Sequence, residues 1–292
     1  MSETIGDDCR NGVRHQQARS ASQGSQEKHC QLLLVGDCML GRLVNEVLES
    51  APPEYPWGDT LPILHAADWR LSNLECVISD RGTPWSASPK AFHFRSRAKN
   101  IAVLEAARMN AVSLANNHVL DYGYDAMFEM LRILDRAGII YTGAGANLAQ
   151  ASRLATADVH GCKIGLIALT DNEPGWEAGT DWPGVFYVPT DLTDIRVKRL
   201  LDTIRAYNRV ADYLIVSAHW GSNLGYVRRK SMWHLHMRWS TREPTWSLAT
   251  RATFSAGLKS TRTGQSCTAR GTSWTIMQST RLSATINHLF IY

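Results

Sequence analysis

Four short apolar runs in this chain each break off into side chains that bind metal ions, and that pattern constrains the fold more than any other feature. The clearest run is Ala111 to Ala115, followed by Asn116-Asn117-His118-Val119-Leu120-Asp121-Tyr122-Gly123. A short apolar run of this kind reads as a buried strand, and α/β sheets place their chemistry where such strands end. Taken alone, Asn-Asn-His also suits a turn whose side chains bond their own backbone.

Three other runs repeat the design. Leu32 to Val35 opens into Gly36-Asp37-Cys38-Met39-Leu40-Gly41-Arg42, Tyr213 to Ala218 into His219-Trp220-Gly221, and the stretch from Trp69 ends Asn73-Leu74-Glu75. Together they offer Asp37, Glu75, Asn117, His118 and His219. Oxygen and imidazole donors in this mixture suit Mn, Fe or Zn, and the set lacks the thiolates of a structural zinc site. Between the runs, Ile101 to Met109 and Asp125 to Ala137 carry apolar residues at helical spacing. Gly138 stops the second helix before a strand at Ile139-Ile140-Tyr141, and Lys163 to Thr170 reads as another strand. Strand and helix in alternation predict an α/β layered domain.

The ordered set G-D-x-M-L-G-R, N-L-E, A-N-N-H-x-x-D-Y-G and A-H-W-G, spread over residues 31 to 226, resembles the CapA family of poly-γ-glutamate (capsule) biosynthesis proteins. The domain of that family is similar to the calcineurin-like metallophosphatases. The resemblance implies a layered β-sandwich flanked by helices, with a dinuclear centre at the strand ends and metal-dependent phosphoester chemistry. Carried over residue by residue, it implies Asp37 and His219 as ligands, Glu75 as the bridging carboxylate and Asn117 as a ligand of the second metal. It places His118 beside the metals as the group that meets the leaving oxygen. Two metals about 3.5–4 Å apart clamp the oxygens of a displacement and make hydroxide available near neutral pH. An imidazole titrates in the same range and can act as general acid; a ligand-orienting histidine is the plainer role for His118.

Phe92-His93-Phe94-Arg95 alternates, so Phe92 and Phe94 share one face and His93 and Arg95 the other. The His93/Arg95 face is a candidate for holding an anionic small-molecule or polymer substrate, since guanidinium pairs with phosphate or carboxylate. A solvated edge strand accounts for the same residues. Asp171 to Pro183 reads as a long loop bordering the site.

Residues 1–28 are rich in Ser, Gln, Arg and Asp and hold almost no large apolar side chain, which predicts disorder. That stretch has no signal-peptide core, and no run approaches the roughly 18 apolar residues of a membrane span. The reading is therefore a soluble, cytoplasmic protein. Six cysteines show no C-x-x-C or framework spacing, which predicts free thiols.

From Ser231 to Tyr292 the composition changes: Asp and Val vanish while Ser, Thr, Arg and Trp crowd in. This tail carries a net charge of +6 against +4 for the whole chain, leaving the remainder at −2. One reading is a non-catalytic basic protein that binds nucleic acid through the tail, although aromatic spacing and helical periodicity are missing. The genetic code supplies a better one. Taking each codon's first base from the third position of the preceding codon, the tail can encode an amphipathic helix, an apolar strand and then G-H-S-G-H. That string resembles the G-H-x-H metal motif the family places there. The expectation is a chain frameshifted between about Tyr226 and Met232. It would comprise a metallophosphatase-like domain truncated at residue 230 and a poorly ordered, out-of-frame tail over 231–292, with activity impaired by loss of the histidine pair.

Overall fold

The computed structural model describes residues 30–221, with the backbone of three short strands at 245–250, 258–259 and 266–267. The expected N-terminal disorder and most of the tail lie outside the described residues. The first half runs β1 (Leu32–Cys38), α1 (Leu43–Val47), α2 (Leu61–Ala66), β2 (Trp69–Leu74), β3 (Val77–Ile78), β4 (Arg95–Ser96), α3 (Ile101–Ala106), β5 (Ala111–Ser113), α4 (Gly123–Arg136) and β6 (Ile140–Thr142). The second runs β7 (Ala144–Gly145), α5 (Leu148–Ala151), β8 (Ala155–Val159), β9 (Cys162–Thr170), β10 (Gly184–Val185), α6 (Ile195–Tyr207), β11 (Tyr213–His219) and β12 (Thr245–Thr250).

Two four-stranded sheets result. The first has the order β1-β2-β5-β6 and is parallel throughout. The second has the order β12-β11-β9-β8, with only the β8–β9 pair antiparallel. Parallel neighbours need long crossovers, which here carry helices onto the outer faces. Alternation along the strands divides the apolar residues accordingly. Leu32, Leu34, Trp69, Leu71 and Ala111 of the first sheet meet Ile164, Leu166 and Ile215 of the second in a core between the sheets. Leu33, Val35 and Val112 face outward onto α3 and α4, through Leu104, Met127, Met130 and Leu134. Leu214 and Val216 face the other way, onto Val197, Leu200 and Ile204 of α6. The order is helices, sheet, sheet, helices: the layered β-sandwich the resemblance implies. Each fully buried aliphatic side chain of this kind contributes roughly 1.5–3 kcal/mol.

The helix expected at Asp125 to Ala137 is α4, which buries Ala126, Met127, Met130, Leu131, Ile133 and Leu134. Gly138 follows it at φ 67, the left-handed residue that commonly ends a helix. The edge strand expected at 92–95 is shorter. Only Arg95 and Ser96 pair, in parallel with Val77 and Ile78.

One irregularity decides where the chemistry sits. Opposite β2, Leu34 pairs with Leu71 but Asp37 pairs with Asn73, so β1 spends one extra residue between those positions. A bulge reverses the side to which later residues point. By strict alternation Asp37 would follow Leu33 and Val35 toward the helices; the extra residue sets its carboxylate beside Asn73 instead.

Candidate metal centre

The C-terminal ends of β1, β2, β5 and β11 meet at one end of the inter-sheet seam. There Asp37, Glu75 and His219 each offer a donor atom, all within 4.8 Å of one another. His219 is fully buried, and its Nδ1 and Nε2 lie 3.8 Å from the Asp37 and Glu75 carboxylates respectively. Asn117 joins them, its Oδ1 lying 2.9 Å from His219 Nε2. His118 Nε2 is 3.7 Å from Glu75 and 3.0 Å from Asn117 Nδ2. Asp37, Glu75, Asn117, His118 and His219, from four separate segments, thus stand in one cluster.

A buried amide scaffold absent from the sequence reading holds them. Asn73 Nδ2 donates to Asp37 at 2.8 Å and lies 3.1 Å from His219 Nδ1. Asn116 Nδ2 donates to Asn73 Oδ1 at 3.1 Å and to the Leu74 carbonyl at 2.8 Å, while its Oδ1 accepts from the His118 amide. The signal was present, since these are the asparagines of N-L-E and A-N-N-H. Nothing in their spacing separates a bridging amide from a ligand.

His118 is oriented from its other side. Its Nδ1 lies 2.6 Å from Asp121 Oδ2, which also accepts from the Phe94 amide at 2.6 Å. These partners place the proton on Nδ1 and leave Nε2 as the atom facing Glu75. Lys90 reaches in from a loop with only 7% of its side chain exposed. Its Nζ donates to the Asn117 carbonyl at 2.5 Å, lies 3.3 Å from Asp121 Oδ1 and 3.5 Å from Glu173, and stands 5.0 Å from the Trp176 ring. The loop after β9, expected to border the site, supplies both Glu173 and Trp176.

Electrostatics follow from burial. Burial alone would raise the Asp37 carboxyl, but the nearby His219 imidazole and the hydrogen bond from Asn73 more than reverse this and hold it below the usual carboxylate range. His118 is lowered, chiefly by burial and with help from Lys90, against the opposing pull of Asp121. Burial pushes the Cys76 thiol up to about 12 and drives Cys38 upward as well. Burial thus keeps both thiols in the neutral form at pH 7.

His93 and Arg95 share a face, as alternation requires, and that face looks onto Tyr122. The Arg95 guanidinium lies 4.1 Å from the Tyr122 ring and His93 is edge-on to it at 6.2 Å. His93 Nε2 is also 3.1 Å from the Trp85 carbonyl. The side that meets the cluster is the phenylalanine side, with Phe94 stacked on His118 at 3.9 Å. The four cysteines among the described residues are free and buried. No helix among the described residues is long and apolar enough to cross a membrane.

A family model described as "Bacterial capsule synthesis protein PGA_cap" matches residues 31–235. The chain belongs to this bacterial capsule synthesis family. It is 32% identical over 234 residues to a probable polyglutamine synthesis accessory protein of Mycobacterium tuberculosis, covering 67% of this chain and 61% of that protein. It is 25% identical to the capsule biosynthesis protein CapA of Bacillus anthracis, over 65% of this chain and 46% of that one. The chain thus spans between about half and three-fifths of the length of these capsule-family relatives. A hypothetical protein from Thermus thermophilus aligns in structure over 78% of this chain and 71% of its own, with a TM-score of 0.42 at 16% identity.

Proposed function

We propose that the chain descends from a CapA-type protein of poly-γ-glutamate capsule biosynthesis whose strand-end cluster binds divalent metal and supports phosphoester chemistry. The convergence of Asp37, Glu75 and His219 within 4.8 Å carries this reading. The donor set fits such an ion: two carboxylates, an imidazole and the Asn117 amide oxygen, with neighbouring thiols held protonated. Asp37, Glu75, Asn117 and His219 are the residues that would hold the metal. Bound divalent ions supply a hydroxide near neutral pH and neutralise charge on the reacting oxygens. His118 presents Nε2 for proton exchange at the leaving oxygen, and Asp121 holds its Nδ1–H so that this atom faces inward. The amides of Asn73 and Asn116 fix the ligands before any substrate arrives.

The frameshift belongs to the same proposal. β12 lies parallel to β11 with Thr250 opposite His219. In the neighbouring phase the first histidine of G-H-S-G-H is encoded across the Ala249–Thr250 junction. The shifted frame would set that histidine beside His219, where a metal shell would be completed. Without it, we expect weak metal retention and weak turnover in the present chain. Elemental analysis of the purified chain and of a frame-restored version, with turnover of a generic phosphodiester, tests both parts. Equal metal content and equal turnover would refute impairment, and absence of metal from both would refute the metal site. Stop codons in the neighbouring phase, or its failure to encode the G-H-S-G-H string, would refute the frameshift.

A further inference from the structure

A column of flat side chains runs from the surface to His118. Phe94 stacks on the imidazole at 3.9 Å and 19°. Phe92 follows at 6.4 Å and 27°, with 56% of its area exposed. The Arg42 guanidinium carbon then sits 5.3 Å from the Phe92 ring. Arg42 comes from the loop that follows the proposed ligand Asp37, and the loop is pinned there. A Cβ on Gly41 would lie 3.1 Å from the Arg95 nitrogen and 3.2 Å from Phe94 Cα, so this residue's bareness lets the loop close on the 94–95 backbone. The next residue carries strain. Arg42 has φ 53 and ψ −130, a region glycine occupies freely and arginine does not. Its side chain is exposed, and no carboxylate pairs with it among the described residues. Arg42 thus stands at the outer end of a stacked column whose inner end is His118, with its guanidinium over the Phe92 ring and its backbone in a sparsely populated region.

We propose that Arg42 and Phe92 form a binding subsite for an oxyanionic group of the substrate, at the outer end of the column that leads to His118. The proposal rests on the metal-site reading, because the subsite takes a second anionic group while the first meets the cluster. A planar guanidinium backed by an aromatic ring keeps its N–H edge free for two parallel bonds to a carboxylate or a phosphate. Arg95 lies on the opposite face of the same segment, against Tyr122.

The test is calorimetric titration of the full chain, with and without manganese, using pyrophosphate and a short γ-linked glutamate oligomer as probes. Arg42→Gln should weaken at least one probe by about tenfold or more, the loss expected for a charge-assisted pair. Weakening of the oligomer alone identifies the anion as a carboxylate, and weakening of pyrophosphate alone identifies it as a phosphoryl group. Arg132→Gln, an equal charge change on an exposed position of α4, should leave both unchanged. Arg42→Gly, which the backbone favours, should bind as weakly as Arg42→Gln while melting no lower than the parent, excluding a folding defect. Unaltered binding in Arg42→Gln, binding of neither probe by the parent, or a larger loss in Arg95→Gln would overturn the subsite. In the frame-restored version, probe binding indifferent to manganese while still dependent on Arg42 would instead count against the metal reading.

Discussion

Replacing Lys90 by methionine should destabilise the domain by about 3 kcal/mol, more than most single substitutions. The side chain is 7% exposed and Asp121 is fully buried. Lys90 Nζ is the group that Asp121 Oδ1 faces, since that oxygen accepts no hydrogen bond. Methionine fills nearly the same volume, so the loss is electrostatic. Deleting one member of a buried pair costs about 3–5 kcal/mol, because the other charge stays in place uncompensated. Asp121 Oδ2 keeps the His118 and Phe94 donors, which sets the expectation at the low end. With a urea slope of roughly 2 kcal/mol/M the unfolding midpoint should fall by roughly 1–2 M. NMR titration gives an independent reading. Lys90 is among the groups that lower His118, so the His118 pKa should rise in the variant. Lys99→Met, which breaks an exposed 2.9 Å pair with Glu49, should leave the midpoint where it was. A Lys90→Met midpoint within roughly 0.5 M of the parent, or an unmoved His118, would refute the reasoning.

Asn73→Leu should lower metal affinity by about 10–100-fold, the usual cost of removing a partner that orients ligands, as read by competition with a chelating dye. Gly143→Ala should destabilise by about 1–3 kcal/mol from the backbone alone, since φ is 99 and a Cβ there would lie 2.5 Å from the Ala115 nitrogen; thermal melting checks this. Cys76, fully buried with its pKa pushed up to about 12, should resist a thiol reagent at pH 8 until the protein unfolds. Asp194 caps α6 by accepting from the Arg196 amide at 2.8 Å, and Asp194→Ala should cost about 1 kcal/mol at pH 7. The Arg196 side chain and amide lower the Asp194 pKa from 3.8 to about 2, so the charge-dependent share is present above 3.8 and lost as pH falls toward 2. Paired urea titrations should show the gap between parent and variant narrowing over that interval.

How much of this was legible in the sequence depends on the kind of signal. Apolar runs ending in donors located β1, β2, β5 and β11, because burial between two layers demands continuous apolar strands whatever the partners are. The α4 helix was equally plain, its apolar spacing and Gly138 stop needing only local geometry. The Asn73–Asn116 amide bridge was not legible. It joins positions 43 residues apart, and an asparagine that donates to a neighbour looks in sequence like one that ligates. Lys90 escaped for a similar reason: a lone lysine in a Ser/Pro-rich loop reads as solvated, and only the fold brings Asn117, Asp121 and Glu173 around it. The His93/Arg95 face was derived correctly as a face, but alternation gives two sides without saying which one meets the site. Stacking of Phe94 on His118 answers that question in three dimensions.

Asp37 joins these two kinds of information. Sequence placed it at the end of a strand, yet a perfectly regular β1 would aim it with Leu33 and Val35 into the helix-facing core, where an ionised carboxylate would be strongly disfavoured. The bulge between Leu34 and Asp37 turns it toward Asn73, which donates a hydrogen bond to it, and toward the His219 imidazole, and together these favour its charged form. Gly36 lies within that bulge and lacks a side chain that would have to be packed on either face. In G-D-x-M-L-G-R the first glycine and the aspartate are thus one device: a backbone irregularity and the ligand it aims. The second glycine and its arginine repeat it, with Gly41 permitting a close approach and Arg42 bearing the strain that presents its guanidinium.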